Sequence, residues 1–177
     1  MLSIIYNRVI DGTRMSKSGK YNRAERHLGH FAEQVKILSD ELESAIRWQR
    51  PSILLAVYES KHICTNARTA LKNSLADIGQ SVYNFRVNEK RFDVPLALSQ
   101  HPDRENTVFF ITGLRSGGGK GGHNAYRALN LRREYLVDYQ IRAVFWLTIS
   151  ESIDLPRCAP DFWAFRHRVI EFIDSPV

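Results

Sequence analysis

The chain is short of the features that would assign it a class at once. Only two cysteines occur, Cys64 and Cys158, far apart in sequence. That suits a reducing cytosol and excludes a disulfide-framed secreted scaffold. No apolar stretch approaches the roughly 18 residues needed to span a bilayer. The first residues contain Ile4, Ile5, Val9 and Ile10, but Asn7 and Arg8 interrupt them and no cleavage-like site follows. We therefore expect neither a signal peptide nor a membrane anchor, and a cytoplasmic protein. There is no polybasic tail, no internal repeat and no nucleic-acid motif.

What is present is ordinary in amount. Hydrophobic residues make up 44% and charged residues 25% of 177 residues, enough for a packed globular core. The formal net charge is +6. The bases are scattered among acids, with short runs at Arg132-Arg133 and Arg166-His167-Arg168. That balance serves solubility or a protein surface, and leaves nucleic-acid binding as an alternative.

Periodicity divides the chain into residues 1–50 and 51–177. Residues 11–20 read as a polar loop. From Tyr21 to Trp48, Leu28, Phe31, Val35, Leu38, Leu42 and Ala45 recur at alternating spacings of three and four, the seam of one long helix. Leu28, Phe31 and Leu38 are its candidate interaction residues. Packing within the chain is preferred over a second chain. Pro51 closes the helix.

Beyond it the rhythm becomes strand and helix by turns. Ser52–Tyr58 is a continuous apolar run, as in a strand buried on both faces. A helix is expected over 66–78, ended by Gly79. A strand follows over 81–87, then a long connection with a short helix near 96–99. Strands are expected over 107–112 and 141–148. A helix capped by Asn124 is expected over 124–138, and a last helix over 160–173 with Phe162, Phe165, Val169 and Phe172 on one face. This order implies right-handed crossovers and a three-layer α/β domain with a mainly parallel sheet of four or five strands.

The stretch "GLRSGGGKGGHN", Gly113 to Asn124, follows the apolar strand Val108–Thr112. A phosphate-binding loop needs glycines that turn amides toward phosphate, a lysine for the outer phosphates, and a following Ser or Thr for magnesium: G-x-x-x-x-G-K-[ST]. Here Gly119-Lys120 comes one residue late, Gly121 stands where the hydroxyl belongs, and Gly122 separates the lysine from the helix. Such a backbone should be floppy. The loop also follows the third strand instead of the first. The loop after the first strand, "ESKHICTNA", has Lys61 and no glycine, and the third strand ends in Thr112-Gly113 with no acid. The layout is that of a nucleotide-binding fold without its chemistry. An active NTPase would have to use Gly117, Gly118, Gly119 and Lys120 with ATP and magnesium in a non-standard way. That remains the alternative; otherwise no cofactor is expected.

Other candidates are weak. His27 and His30 are one turn apart, but no third ligand is evident, and we read them as surface residues. Cys64 beside His62 lacks an orienting partner for a nucleophile. Asp161 is expected to cap the last helix. Arg127, Arg132 and Arg133 lie on or near the helix after the glycine loop and could meet phosphate or an acidic partner. Arg133 and Glu134, as sequence neighbours, should not face each other on a helix.

Three segments, "NTVFFITGL", "NAYRALNLRREYLVDYQIRAVFWLT" and "APDFWAFRHRVIEF", resemble modules of the signal-transduction NTPases with numerous domains (STAND), large bacterial proteins usually joined to tetratricopeptide repeats. The matching positions are Leu129-Asn130, Arg133-Glu134, Phe145-Trp146-Leu147 and Ala159-Pro160-Asp161-Phe162-Trp163. The resemblance runs from about residue 50 to 174, and its most specific part is Ala-Pro-Asp-Phe-Trp. It implies a P-loop-NTPase-like topology. The phosphate motif and the strand-end acid of active members are missing, so it implies a degenerate, inactive module. Such a module would bind other proteins, or further domains, of a signalling or defence system.

Overall fold

The computed structural model describes the backbone of residues 18–173 and the side chains of residues 29–173. The polar loop expected over residues 11–20 therefore falls outside the described residues up to 17, and its end, Ser18–Lys20, is already helical. The side chains of His27 and Leu28 also lie outside them.

Five strands form one sheet: β1 (Ser52–Tyr58), β2 (Ser81–Arg86), β3 (Thr107–Thr112), β4 (Arg142–Thr148) and β5 (Arg168–Phe172). Their order is β2-β3-β4-β1-β5. Every neighbouring pair is parallel, with Tyr58 beside Thr148 and Thr112 beside Trp146. Parallel neighbours need crossovers, and these place helices on both faces. The helices are α1 (Ser18–Arg47), α2 (Lys61–Asp77), α3 (Val94–Ser99), α4 (His123–Arg132), α5 (Glu134–Asp138), α6 (Ile149–Cys158) and α7 (Pro160–Phe165). The result is a three-layer α/β fold of P-loop-like topology.

The continuous apolar strands are explained by their two-sided burial. Ile53 and Leu55 face one layer, with Phe109, Ile111, Phe145, Leu147 and residues of α3 to α7. Leu54 and Ala56 face the other, with Phe110, Val144, Trp146 and residues of α1 and α2. The seam of α1 belongs to this second layer. Leu38, Leu42 and Ala45 are fully buried, and Phe31 meets Phe172 edge-on at 5.8 Å. From Phe31 onward the apolar stripe thus packs against the chain's own sheet.

Several expected boundaries move. Helix α2 starts at Lys61 rather than residue 66, because Ser60 caps it. The short helix starts at Val94, capped by Asp93. The helix expected over 124–138 is two, α4 and α5, separated at Arg133. Its N-cap position is held by Gly122, not Asn124. Helix α6 was not expected. The last helix stops at Phe165, and Val169 and Phe172 belong to strand β5. Their helical spacing is overridden by pairing with β1, which suits β-branched Val169 and Ile170. His167 fixes the change of direction: its amide donates to the Ile53 carbonyl at 2.8 Å, and its Nδ1 accepts from the Ile53 amide at 2.9 Å.

Candidate functional site

In an open parallel sheet, ligands bind outside the carboxyl ends of the strands, where the crossovers change direction. From β1 the chain crosses to β2 over the face of α1 and α2. All later connections return over the opposite face. The switch point therefore lies between the carboxyl ends of β1 and β4. The amino ends of α2 and α6 flank it, and both are already occupied by the chain itself.

Only Glu59 and Ser60 separate β1 from α2, too short a turn to wrap a phosphate. The Ser60 hydroxyl accepts from the Ile63 amide at 3.2 Å. On the other side Thr148 and Glu151 form a capping box. Thr148 Oγ1 accepts from the Glu151 amide at 3.2 Å, and Glu151 Oε2 accepts from the Thr148 amide at 2.9 Å. The second carboxylate oxygen, Oε1, accepts from the Arg115 amide at 3.2 Å. Glu151 is 3% exposed, and both its oxygens are engaged. It is a buried acid at the end of the sheet, used to hold backbone. The sequence reading missed it, although Thr148-Ile-Ser-Glu151 carries the capping-box pattern.

The glycine loop closes on itself and on α4. After Gly113 comes a 3₁₀ turn, Leu114–Ser116, and a second turn spans Lys120–Gly122. A Cβ on Gly117 would stand 2.3 Å from that of Ala125. At Gly122, φ is +84°, and a Cβ would come within 2.2 Å of the Leu114 carbonyl oxygen. The Asn124 amide donates to the Gly118 carbonyl at 3.1 Å, and its side chain lies against Gly118 and Gly119. The expected floppy loop is instead a packed corner, in which glycine is needed because backbone meets backbone. Lys120 is exposed on it. β4 stands between β3 and β1, so the loop begins about 10 Å from the carboxyl end of β1.

Asn130, Arg133, Asp161 and Phe162 meet in space. Asn130 Oδ1 accepts from the amides of Asp161 and Phe162 at 2.8 and 3.2 Å. Asn130, rather than Asp161, thus caps α7. Arg133 lies 3.5 Å from both Asp161 and Glu134. The Arg133–Glu134 pair is unexpected for helical neighbours; Arg133 lies between α4 and α5 and keeps a helical backbone. Trp163 is half-buried, with the Arg166 guanidinium 3.9 Å above its ring. These contacts clasp α4 to α7.

Of the other basic candidates, Arg132 is paired with Asp93 at 2.5 Å. Arg127 is exposed and has no hydrogen-bond or ion-pair partner among the described residues. It lines a groove of about 350 Å³ with Phe92, Asp93, Asn124, Ala128, Leu131 and Arg132.

The weaker candidates separate. His62 is exposed, with its Nε2 3.1 Å from the Asn66 side-chain Nδ2. Cys64 is buried, and burial pushes its thiol above the ordinary range, against nucleophilic use. His30 is exposed. Among the described residues no cluster of three His, Cys, Asp or Glu could hold a metal, and no helix is long and apolar enough to cross a membrane. The chain matches no protein-family model and no curated protein.

Proposed function

We propose that this protein is a non-catalytic, degenerate P-loop-like module that acts by binding other proteins, or further domains, of a bacterial signalling or defence system in the cytoplasm. One observation carries the reading: both helix amino ends at the switch point are capped by the chain's own Ser60, Thr148 and Glu151. A phosphate arriving there would have to displace bonds that hold the fold. The absence of glycine from the β1–α2 turn and of an acid from the end of β3 argues the same way.

A direct test is phosphate release from ATP or GTP with magnesium by the purified chain. The reading predicts no turnover above a buffer control. Turnover that Lys120→Ala abolishes would instead favour an NTPase built on Gly117, Gly118, Gly119 and Lys120.

A further inference from the structure

The groove beside α4 identifies the chemistry of a partner. Between Glu105 and Glu134 the sequence holds no acid, and it holds Arg115, Lys120, Arg127, Arg132 and Arg133. Three of these bases are answered from elsewhere in the fold: Arg115 by Asp154, Arg132 by Asp93, and Arg133 by Asp161 and Glu134. Arg127 and Lys120 are left without a partner among the described residues.

Their placement is specific. Asn124, Arg127 and Leu131 follow one another at spacings of three and four along α4, so they share one stripe of the helix. Leu131 is 64% exposed, an unusual state for a leucine on a helix whose other face is core. The groove's other lining residues off α4 are Phe92 and Asp93, and Asp93 pairs with Arg132 at the end of α4. Phe92, Ala128 and Leu131 supply the groove's apolar lining, and Arg127, unpaired among the described residues, lines it with them. Gly119, the residue before exposed Lys120, lies against Asn124 of the groove, its Cβ position 3.3 Å from Asn124 Oδ1. The facing segment carries Glu89 beside Lys90 and Arg91, and the surround remains positive.

We infer that this groove docks an acidic peptide segment of a partner protein, with a large apolar side chain on Phe92, Ala128 and Leu131 and a flanking carboxylate on Arg127. Guanidinium pairs carboxylate in a fork, and an apolar contact next to it excludes water and strengthens the pair. The inference rests on the non-catalytic reading above and adds the kind of partner.

The test is selection of a random dodecapeptide library, displayed on phage, against the intact chain. Arg127→Glu serves as counter-target, with Arg127→Met and Leu131→Ser as further variants. All three are surface changes, and circular dichroism melts verify their folding. The expected result is enrichment of peptides in which Asp or Glu flanks a Leu, Ile, Phe or Trp. Synthetic versions should bind at least about tenfold more weakly to Arg127→Glu, and measurably more weakly to Leu131→Ser. No enrichment over the counter-target, enrichment of peptides without acids, or equal binding to Arg127→Glu would each overturn the inference. So would a single-stranded oligonucleotide shift lost in Arg127→Glu without peptide enrichment, which would assign the groove to nucleic acid. Failure of this test with no ATP turnover removes the groove's role and leaves the non-catalytic reading in place. Turnover of ATP removes that reading itself.

Discussion

Glu151 accepts the amide hydrogen of Arg115 at 3.2 Å, so the turn after β4 is tied to the loop after β3 by one buried carboxylate. The same side chain closes the capping box with Thr148. Glu151→Ala should therefore cost roughly 2–4 kcal/mol, the sum of a lost cap and lost bonds to a charged group. Glu151→Gln, which keeps an acceptor oxygen, should recover part of it. Urea unfolding of the two variants checks this, and unchanged midpoints would show that the carboxylate is not a tie.

Leu38 is fully buried between α1 and the sheet. Leu38→Ala should cost about 2–5 kcal/mol and lower the melting temperature equally at all protein concentrations. Leu38→Asp should unfold the chain rather than release a folded monomer. Sedimentation of the variant decides between the two.

Asn130 and Asp161 make different contributions to the α4–α7 clasp. Asn130 caps two amides, whereas Asp161 is exposed and pairs at the surface. Asn130→Ala should cost roughly 1–2 kcal/mol, and Asp161→Ala less than about 1 kcal/mol. The reverse order in thermal melts would move the cap to Asp161.

The Tyr126 hydroxyl is buried with no hydrogen-bond partner among the described residues, and burial pushes its ionisation upward. Removing an unpaired buried hydroxyl should not destabilise. Tyr126→Phe is expected to melt at or above the parent's temperature. The raised ionisation also sets a sign. Above the ordinary tyrosine range the unfolded chain loses this proton first, so the parent should lose stability more steeply with rising alkaline pH than Tyr126→Phe. Equal slopes would count against it.

Much of the frame was legible in the sequence because it follows from local pattern. β1, β3 and β4 are apolar runs buried on both faces, and the α1 seam keeps its spacing through Ala45. What was hidden depends on distant contacts. Phe162, Phe165, Val169 and Phe172 keep helical spacing, yet pairing with β1 makes the last two a strand. α6 contains Pro156, which disguises it. The lack of glycine in the β1 turn and of an acid at the end of β3 was readable directly. The packed state of the glycine loop was not, because it depends on Leu114 and Ala125 meeting Gly122 and Gly117. Neither was Arg127's isolation, which follows from Asp93, Asp154 and Asp161 answering its neighbours.

The central claim is that the switch point is filled by the chain's own caps and binds no nucleotide. Titration calorimetry of ATP with magnesium into the parent and into Lys120→Ala tests it most directly. The account predicts no saturable heat for either. Micromolar binding to the parent that Lys120→Ala abolishes would contradict it.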